Sequence, residues 1–215
     1  MMKRQSGFTI IEIIIVVIIL GLLAATALPR FLNVTEQAEQ ASIDGIAGGF
    51  ASAIGLVRGQ WEVEGRPANN IAVGQTAVTI DGIQIGINVL TDDAPVLIVP
   101  GYPTGLSTNT TTNFTTASIT NQSCVDVLNL VLQNSPSAIA GTPVPTAEDL
   151  SQNALYVREG SGDFANVCFY IQTAGLTAVP AAPATASDAG LEASNLNGFF
   201  YRPATGEVRV FKFKA

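Results

Sequence analysis

Residues 8–28 read FTIIEIIIVVIILGLLAATAL, an apolar run interrupted by one carboxylate, Glu12. As a helix, these 21 residues cover about 30 Å, the thickness of a bilayer's hydrocarbon. Lys3 and Arg4 precede the run, which keeps the N-terminus in the cytoplasm and sends the remainder outward. A carboxylate near hydrocarbon is costly, so Glu12 marks a function. A secretory signal cut near Ala24-Ala25-Thr26-Ala27, or a plain signal anchor, would account for the run. Neither accounts for Glu12, or for Gly7 immediately before the run.

Composition narrows the function classes. Hydrophobic residues make up 47% of the 215 and charged residues 13%, against roughly 25% charged in an average soluble protein. The length allows one globular domain and an appendage. The net charge is −7, and Arg30, Arg58 and Arg66 lie well apart, so no basic surface for nucleic acid is expected. The chain contains no histidine, which removes Ser-His and Cys-His nucleophile pairs and histidine metal ligands. With no closely spaced cysteines and no phosphate loop either, the sequence offers no active site and no cofactor. Asp92-Asp93 and Glu148-Asp149 are acidic pairs outside any D-x-D-x-D calcium loop. They read as solvated loop charges, and Glu159 and Asp163 around Gly160-Ser161-Gly162 are no stronger. No metal site is expected. Cys124 and Cys168, an even pair behind an export signal, read as a disulfide. Two buried free thiols are the alternative.

Gly7-Phe8-Thr9-Ile10-Ile11-Glu12, behind a short basic leader, resembles the processing motif of type IV prepilins. The resemblance implies that a membrane-embedded prepilin peptidase cuts between Gly7 and Phe8 on the cytoplasmic side and methylates the new amine of Phe8. Residues 1–7 would then be a leader, and the apolar helix would stay on the mature protein. It also implies a role for Glu12 in filament assembly. Phe8 and Glu12, four residues apart, share a helix face, and Glu12 of one subunit can meet the Phe8 amine of its neighbour. Such a pairing sets the stagger between subunits, the best-attested use of a buried polar group. Gly21 and Pro29 occupy the positions of the glycine and proline that bracket a weak segment in many pilin helices. Their helix costs are about 1 and about 3 kcal/mol relative to alanine. Local unwinding is expected there as the chain leaves the bilayer.

The implied fold is α+β and type IV pilin-like. A long N-terminal helix over 8–60, membrane-spanning over about 8–28, packs on a C-terminal antiparallel β-sheet head over 61–215. Ile43, Ile46, Phe50, Ile54 and Val57 recur at three- and four-residue steps, the stripe of a helix with one apolar face. Gly45, Gly48, Gly49 and Gly55 within it are expected to permit close packing. If continuous from Phe8 to Gln60, this helix is about 80 Å long. It should end before Gly65-Arg66-Pro67.

Beyond Trp61 the period shortens to two. Residues 77–80, Asp81-Gly82 and residues 83–87 form an expected hairpin. Pro95 to Pro100 is a short apolar run before Gly101-Tyr102-Pro103. Residues 107–123, rich in Thr, Ser and Asn, are expected as an exposed loop, with Asn109, Asn113 and Asn121 in N-x-S/T contexts. A short helix is expected from Cys124 on the strength of Val125, Leu128, Val131 and Leu132, and a strand over 166–172. The Ala/Pro-rich stretch 174–195 reads as a long loop, and the chain closes on a hairpin turning at 203–206. Phe31-Leu32-Asn33 with the helix that follows, Gly101-Tyr102-Pro103 and the terminal hairpin are similar to mannose-sensitive haemagglutinin pilins. The partners implied are copies of the chain in a helical filament, the prepilin peptidase, the inner-membrane assembly machinery and the inner membrane. The mature fibre would be extracellular and bacterial. A pseudopilin of type II secretion, or a minor pilin, is the alternative.

Overall fold

The computed structural model describes residues 8–68, 70, 76–88, 99–106, 119–161, 164–180 and 196–212. The chain divides into two compact units, at Ala41 and Ser42, and helix α1 (Ile10–Val63) contributes to both. In the first unit the helical side chains from Ile10 to Leu32 are exposed. Apart from Glu12 and Thr26 they are apolar on every side through residue 28, a pattern that suits a helix solvated by lipid. Polar residues return from Arg30 onward, and the Glu36 carboxylate accepts a 3.4 Å bond from Gln40.

The second unit begins with the amphipathic part of α1. Ile43, Ala47, Phe50, Ile54, Val57 and Trp61 are all buried, at alternating steps of four and three residues. Ile46, expected on this stripe, is only half-buried. The glycines behave differently from expectation. A Cβ at Gly45, Gly48 or Gly55 would meet nothing within 4 Å, and one at Gly49 would only touch Leu132 at 4.0 Å. Within this unit they lie on the solvent side and serve no close approach. The helix ends before Gly65, as expected, three residues beyond Gln60. Gly65 turns left-handed at φ 82°, the Gly65 N–H donates to the Glu62 carbonyl and the Arg66 N–H to the Trp61 carbonyl. This is the Schellman arrangement that a glycine beyond the last turn permits.

Strands β1 (Thr76–Ile80), β2 (Ile83–Ile87) and β3 (Pro103–Leu106) form an antiparallel sheet in that order. The expected first hairpin is present. Asp81 and Gly82 both have positive φ, 50° and 80°, the conformation that an Asp-Gly turn supplies. Helix α2 (Asn121–Val131) starts three residues earlier than expected, because Thr120 caps it by accepting the Ser123 N–H at 3.1 Å. The exposed-loop expectation over 107–123 therefore fails at its end, where Ile119 and Ser123 are buried. Residues 107–118 lie outside the described residues.

The larger sheet holds five strands in chain order: β4 (Ala138–Ala140), β5 (Leu155–Glu159), β6 (Cys168–Gln172), β7 (Gly198–Arg202) and β8 (Glu207–Phe211). Its β4–β5 pair is parallel and the others antiparallel. Helix α3 (Ala147–Gln152) lies in the crossover that a parallel pair requires. Among the described residues the head thus holds the expected antiparallel sheet structure in two sheets, with one parallel pair added at β4–β5. The terminal hairpin, β7–β8 across 203–206, is as expected, and so is strand β6.

Alternation divides the core in two. Leu155, Val157, Cys168, Tyr170, Phe199 and Tyr201 share a cluster with Phe50 of α1 and Leu128 of α2. Tyr156, Phe169, Ile171, Phe200 and Phe211 share a second cluster with Leu150 of α3. Phe50 sits 5.4 Å, centroid to centroid, from each of Tyr170, Phe199 and Tyr201. Burial pushes the Tyr170 and Tyr201 phenols far above their ordinary range. Their hydroxyls donate to the carbonyls of Cys124 and Pro103, both at 2.8 Å. A third cluster packs Val57 and Trp61 against Val78, Ile85 and Ile87 of the small sheet. The observed α+β architecture, a long N-terminal helix followed by a β head, is the one the pilin resemblance implies.

Candidate functional site

Two of the residues that the sequence singles out, Phe8 and Glu12, lie at the start of α1. Phe8 and Thr9 precede the first helical residue, Ile10. Thr9 acts as the cap: its hydroxyl accepts the Glu12 N–H at 3.3 Å, and its carbonyl accepts the Ile13 N–H at 3.3 Å. Glu12 lies in the first turn, where a negative charge meets the positive end of the helix dipole. Sequence reasoning missed this local role, although Thr9-Ile10-Ile11-Glu12 has the spacing of a capping box. Phe8 is 80% exposed. Gly7 lies outside the described residues.

Helix α1 contains a stretch long and apolar enough to cross a membrane and runs unbroken through Gly21 and Pro29. The Pro29 ring carries no N–H for the Ala25 carbonyl. One turn earlier, the Thr26 hydroxyl donates to the Leu23 carbonyl at 3.0 Å.

In the head, Cys124 of α2 and Cys168 of β6 are joined as a disulfide, with Cα atoms 5.4 Å apart. Both are fully buried in the main core. The two-thiol alternative is thereby set aside. Glu148 and Asp149 are not loop charges: they open α3. Asp149 completes a capping box, accepting the Thr146 backbone N–H at 2.8 Å and its hydroxyl at 2.7 Å. Those bonds, the backbone one first, hold its carboxyl below the usual range. Glu159 is shifted upward by burial, and its backbone N–H donates to Asn121. Asn121 also donates to the Thr142 hydroxyl at 2.6 Å, so both ends of its amide are engaged. Asp92, Asp93, Asp163, Asn109 and Asn113 lie outside the described residues. Among the described residues no three His, Cys, Asp or Glu side chains gather as a metal site would require.

Two polar arrangements in the head carry no sequence signature. Asn88, fully buried, donates its amide to the carbonyls of Val99 and Pro203, each at 2.9 Å, and accepts the Tyr102 N–H at 2.7 Å. It joins the end of β2 to the approach to β3 and to the β7–β8 turn. Near the end of α1, the Arg58 guanidinium lies over Trp61 and Tyr102, at 5.3 and 5.1 Å from the ring centroids. Glu62 pairs with both Arg66 and Arg58. Hydrogen bonds from Arg66, then Arg58, lower its pKa.

The family model for the prokaryotic N-terminal methylation motif matches residues 2–28. The chain is 47% identical over 53 residues to a type IV narrow pilus major component of Thermus thermophilus, covering 25% of this chain and 46% of that one. It is 40% identical over 73 residues to a type IV major pilin protein of Neisseria gonorrhoeae, covering 33% and 41%. It is also 39% identical over 56 residues to a type II secretion system core protein G of Pseudomonas aeruginosa, covering 26% and 39%. The chain thus spans less than half the length of these relatives. No solved structure matches it.

Proposed function

We propose that this chain is a structural subunit of a type IV pilus. It is cut by prepilin peptidase between Gly7 and Phe8, methylated at the Phe8 amine, held in the inner membrane by residues 8–28 and polymerised into an extracellular fibre for surface attachment. The observation that carries this reading is the exposed apolar first half of α1, with Glu12 in its first turn, ahead of a disulfide-fastened head. A span that stays on the mature chain is needed by a subunit that is first stored in a bilayer and then packed against its own copies. Glu12 meets the Phe8 amine of the neighbouring copy and fixes the stagger, since a carboxylate in an apolar core must find a charge partner. Gly21 and Pro29 mark the segment that gives way when a subunit leaves the membrane. Within the family, the short motifs at 31–33, 101–103 and 203–207 favour the mannose-sensitive haemagglutinin type.

The similarity to a type II secretion core protein favours a second reading, a pseudopilin in a short periplasmic assembly. Location separates the two. The pilus reading expects the native chain in sheared extracellular fibres, with an intact mass showing loss of residues 1–7 and gain of one methyl. Retention in the membrane fraction, with no fibres, would establish the pseudopilin. A mature chain starting after Ala25 or Ala27 would exclude both.

A further inference from the structure

Just past the apolar span, α1 carries charges that find no opposite charge in their own helix. Between residues 8 and 41 the charged residues are Glu12, Arg30, Glu36 and Glu39. Arg30 is exposed, and among the described residues it makes no ion pair or side-chain hydrogen bond. On a helix it can reach positions three and four places away, here Thr26, Ala27, Asn33 and Val34, none of them acidic. Glu36 and Glu39 stand three places apart, near enough to repel each other. Glu36 receives a bond from Gln40 at 3.4 Å, which brings it no positive charge. Phe31, Leu32 and Val34 are exposed around Arg30, and apolar surface outside hydrocarbon is stabilised by being covered.

A second copy of the chain meets both needs at one stagger. The inference rests on the filament reading above, in which the Phe8 amine of one copy meets Glu12 of its neighbour. Shifting a parallel copy by those four residues, about 6 Å, brings its Arg30 level with Val34 of the neighbour. Glu36 of the neighbour then lies about 3 Å further along the axis, and Glu39 about 7 Å. A shift of the opposite sign would carry Arg30 away from both acids. One displacement therefore serves the amine with Glu12 and the guanidinium with Glu36. Gly21 and Pro29 lie between the two contacts. Loosening there frees the second contact from the helical phase of the first, without altering the shift between copies. We infer that Arg30 is a second register residue of the assembly. Its guanidinium pairs with the Glu36 carboxylate of a neighbouring copy, Glu39 adds to the negative field, and Phe31, Leu32 and Val34 are covered in the same contact.

The test expresses full-length variants in place of the native chain and reads sheared fibres against the inserted, processed membrane pool. Arg30→Glu leaves residues 8–28 untouched, so insertion and processing should be normal. Its fibre yield should fall about tenfold or more, because an attraction repeated in every copy becomes a repulsion. Glu36→Arg alone should cause a smaller fall, since Glu39 stays acidic. Arg30→Glu combined with Glu36→Arg should recover most of the wild-type yield. Normal fibres from Arg30→Glu overturn the inference. So does a low yield that adding Glu36→Arg does not relieve. A shrunken membrane pool for Arg30→Glu would mean that this side chain serves the bilayer surface, which also overturns it. A wild-type chain that stays in the membrane without fibres overturns the filament reading, and this inference with it.

Discussion

Glu12 and Asn88 are both polar groups in costly places, and they differ in where their partners come from. Asn88 finds all of its partners within its own head. Asn88→Ala would strand two carbonyls and one N–H in a buried site, and each orphaned group costs about 1–3 kcal/mol. Chemical denaturation should show a loss of at least about 2 kcal/mol, and a change below about 0.5 kcal/mol would mean that water replaces the amide without penalty. The Glu12 carboxylate has its charge partner on another copy of the chain in the proposed assembly. Glu12→Gln keeps the shape and removes the charge. The variant should insert, be processed and fold its head, because a neutral side chain eases insertion, yet fibre yield should collapse. Sheared-fibre and membrane pools measured together decide it, and normal fibre yield at wild-type subunit levels would refute the pairing.

At the scale of elements, the sequence was legible wherever one local signal decided the outcome. The apolar stripe from Ile43 to Val57, the Asp81-Gly82 turn, the terminal hairpin and the stop at Gly65 all follow from periodicity or turn chemistry. What stayed hidden depends on pairing or capping. Strand β4 is three residues long and is defined by its parallel partner β5, so it has no period of its own. Helix α3 was visible only as Thr146-x-x-Asp149, a capping box that an acidic pair disguises. Removing the Thr146 hydroxyl by Thr146→Ala should cost about 1 kcal/mol of head stability at neutral pH, measured by thermal unfolding. The pH dependence has a definite sign. Asp149 and Glu62 both have folded-state pKa values below their ordinary ones, so each adds stability that is present above the unfolded pKa near 4 and is lost as pH falls through the folded value. Stability should therefore decline on acidification below about pH 4, and Thr146→Ala should shrink the Asp149 share of that decline. An acid titration of the variant parallel to wild type would remove the capping box as its cause.

For the molecule as a whole, the proposed fibre requires the head to hold its fold outside the cell. The Cys124–Cys168 bond ties α2 to the central region of the five-stranded sheet, across a sequence separation of 44 residues. Closing a loop of that size removes denatured-state freedom worth about 4 kcal/mol in the chain-entropy model. Packing alone also acts at this junction: Tyr170 beside the bridge donates to the Cys124 carbonyl and stacks on Phe199 at 4.6 Å. The two contributions separate in a double variant. Cys124→Ala with Cys168→Ala keeps the aromatic cluster and removes the cross-link, so the head should still fold. Its melting temperature should fall by roughly 8–16 °C, since each kcal/mol is worth about 2–4 °C in a unit of this size. Reductant added to wild type under partly unfolding conditions should reproduce most of that shift, while leaving the double variant unaffected. A fall of less than about 2 °C would mean that sheet packing, rather than loop closure, fastens α2 in place.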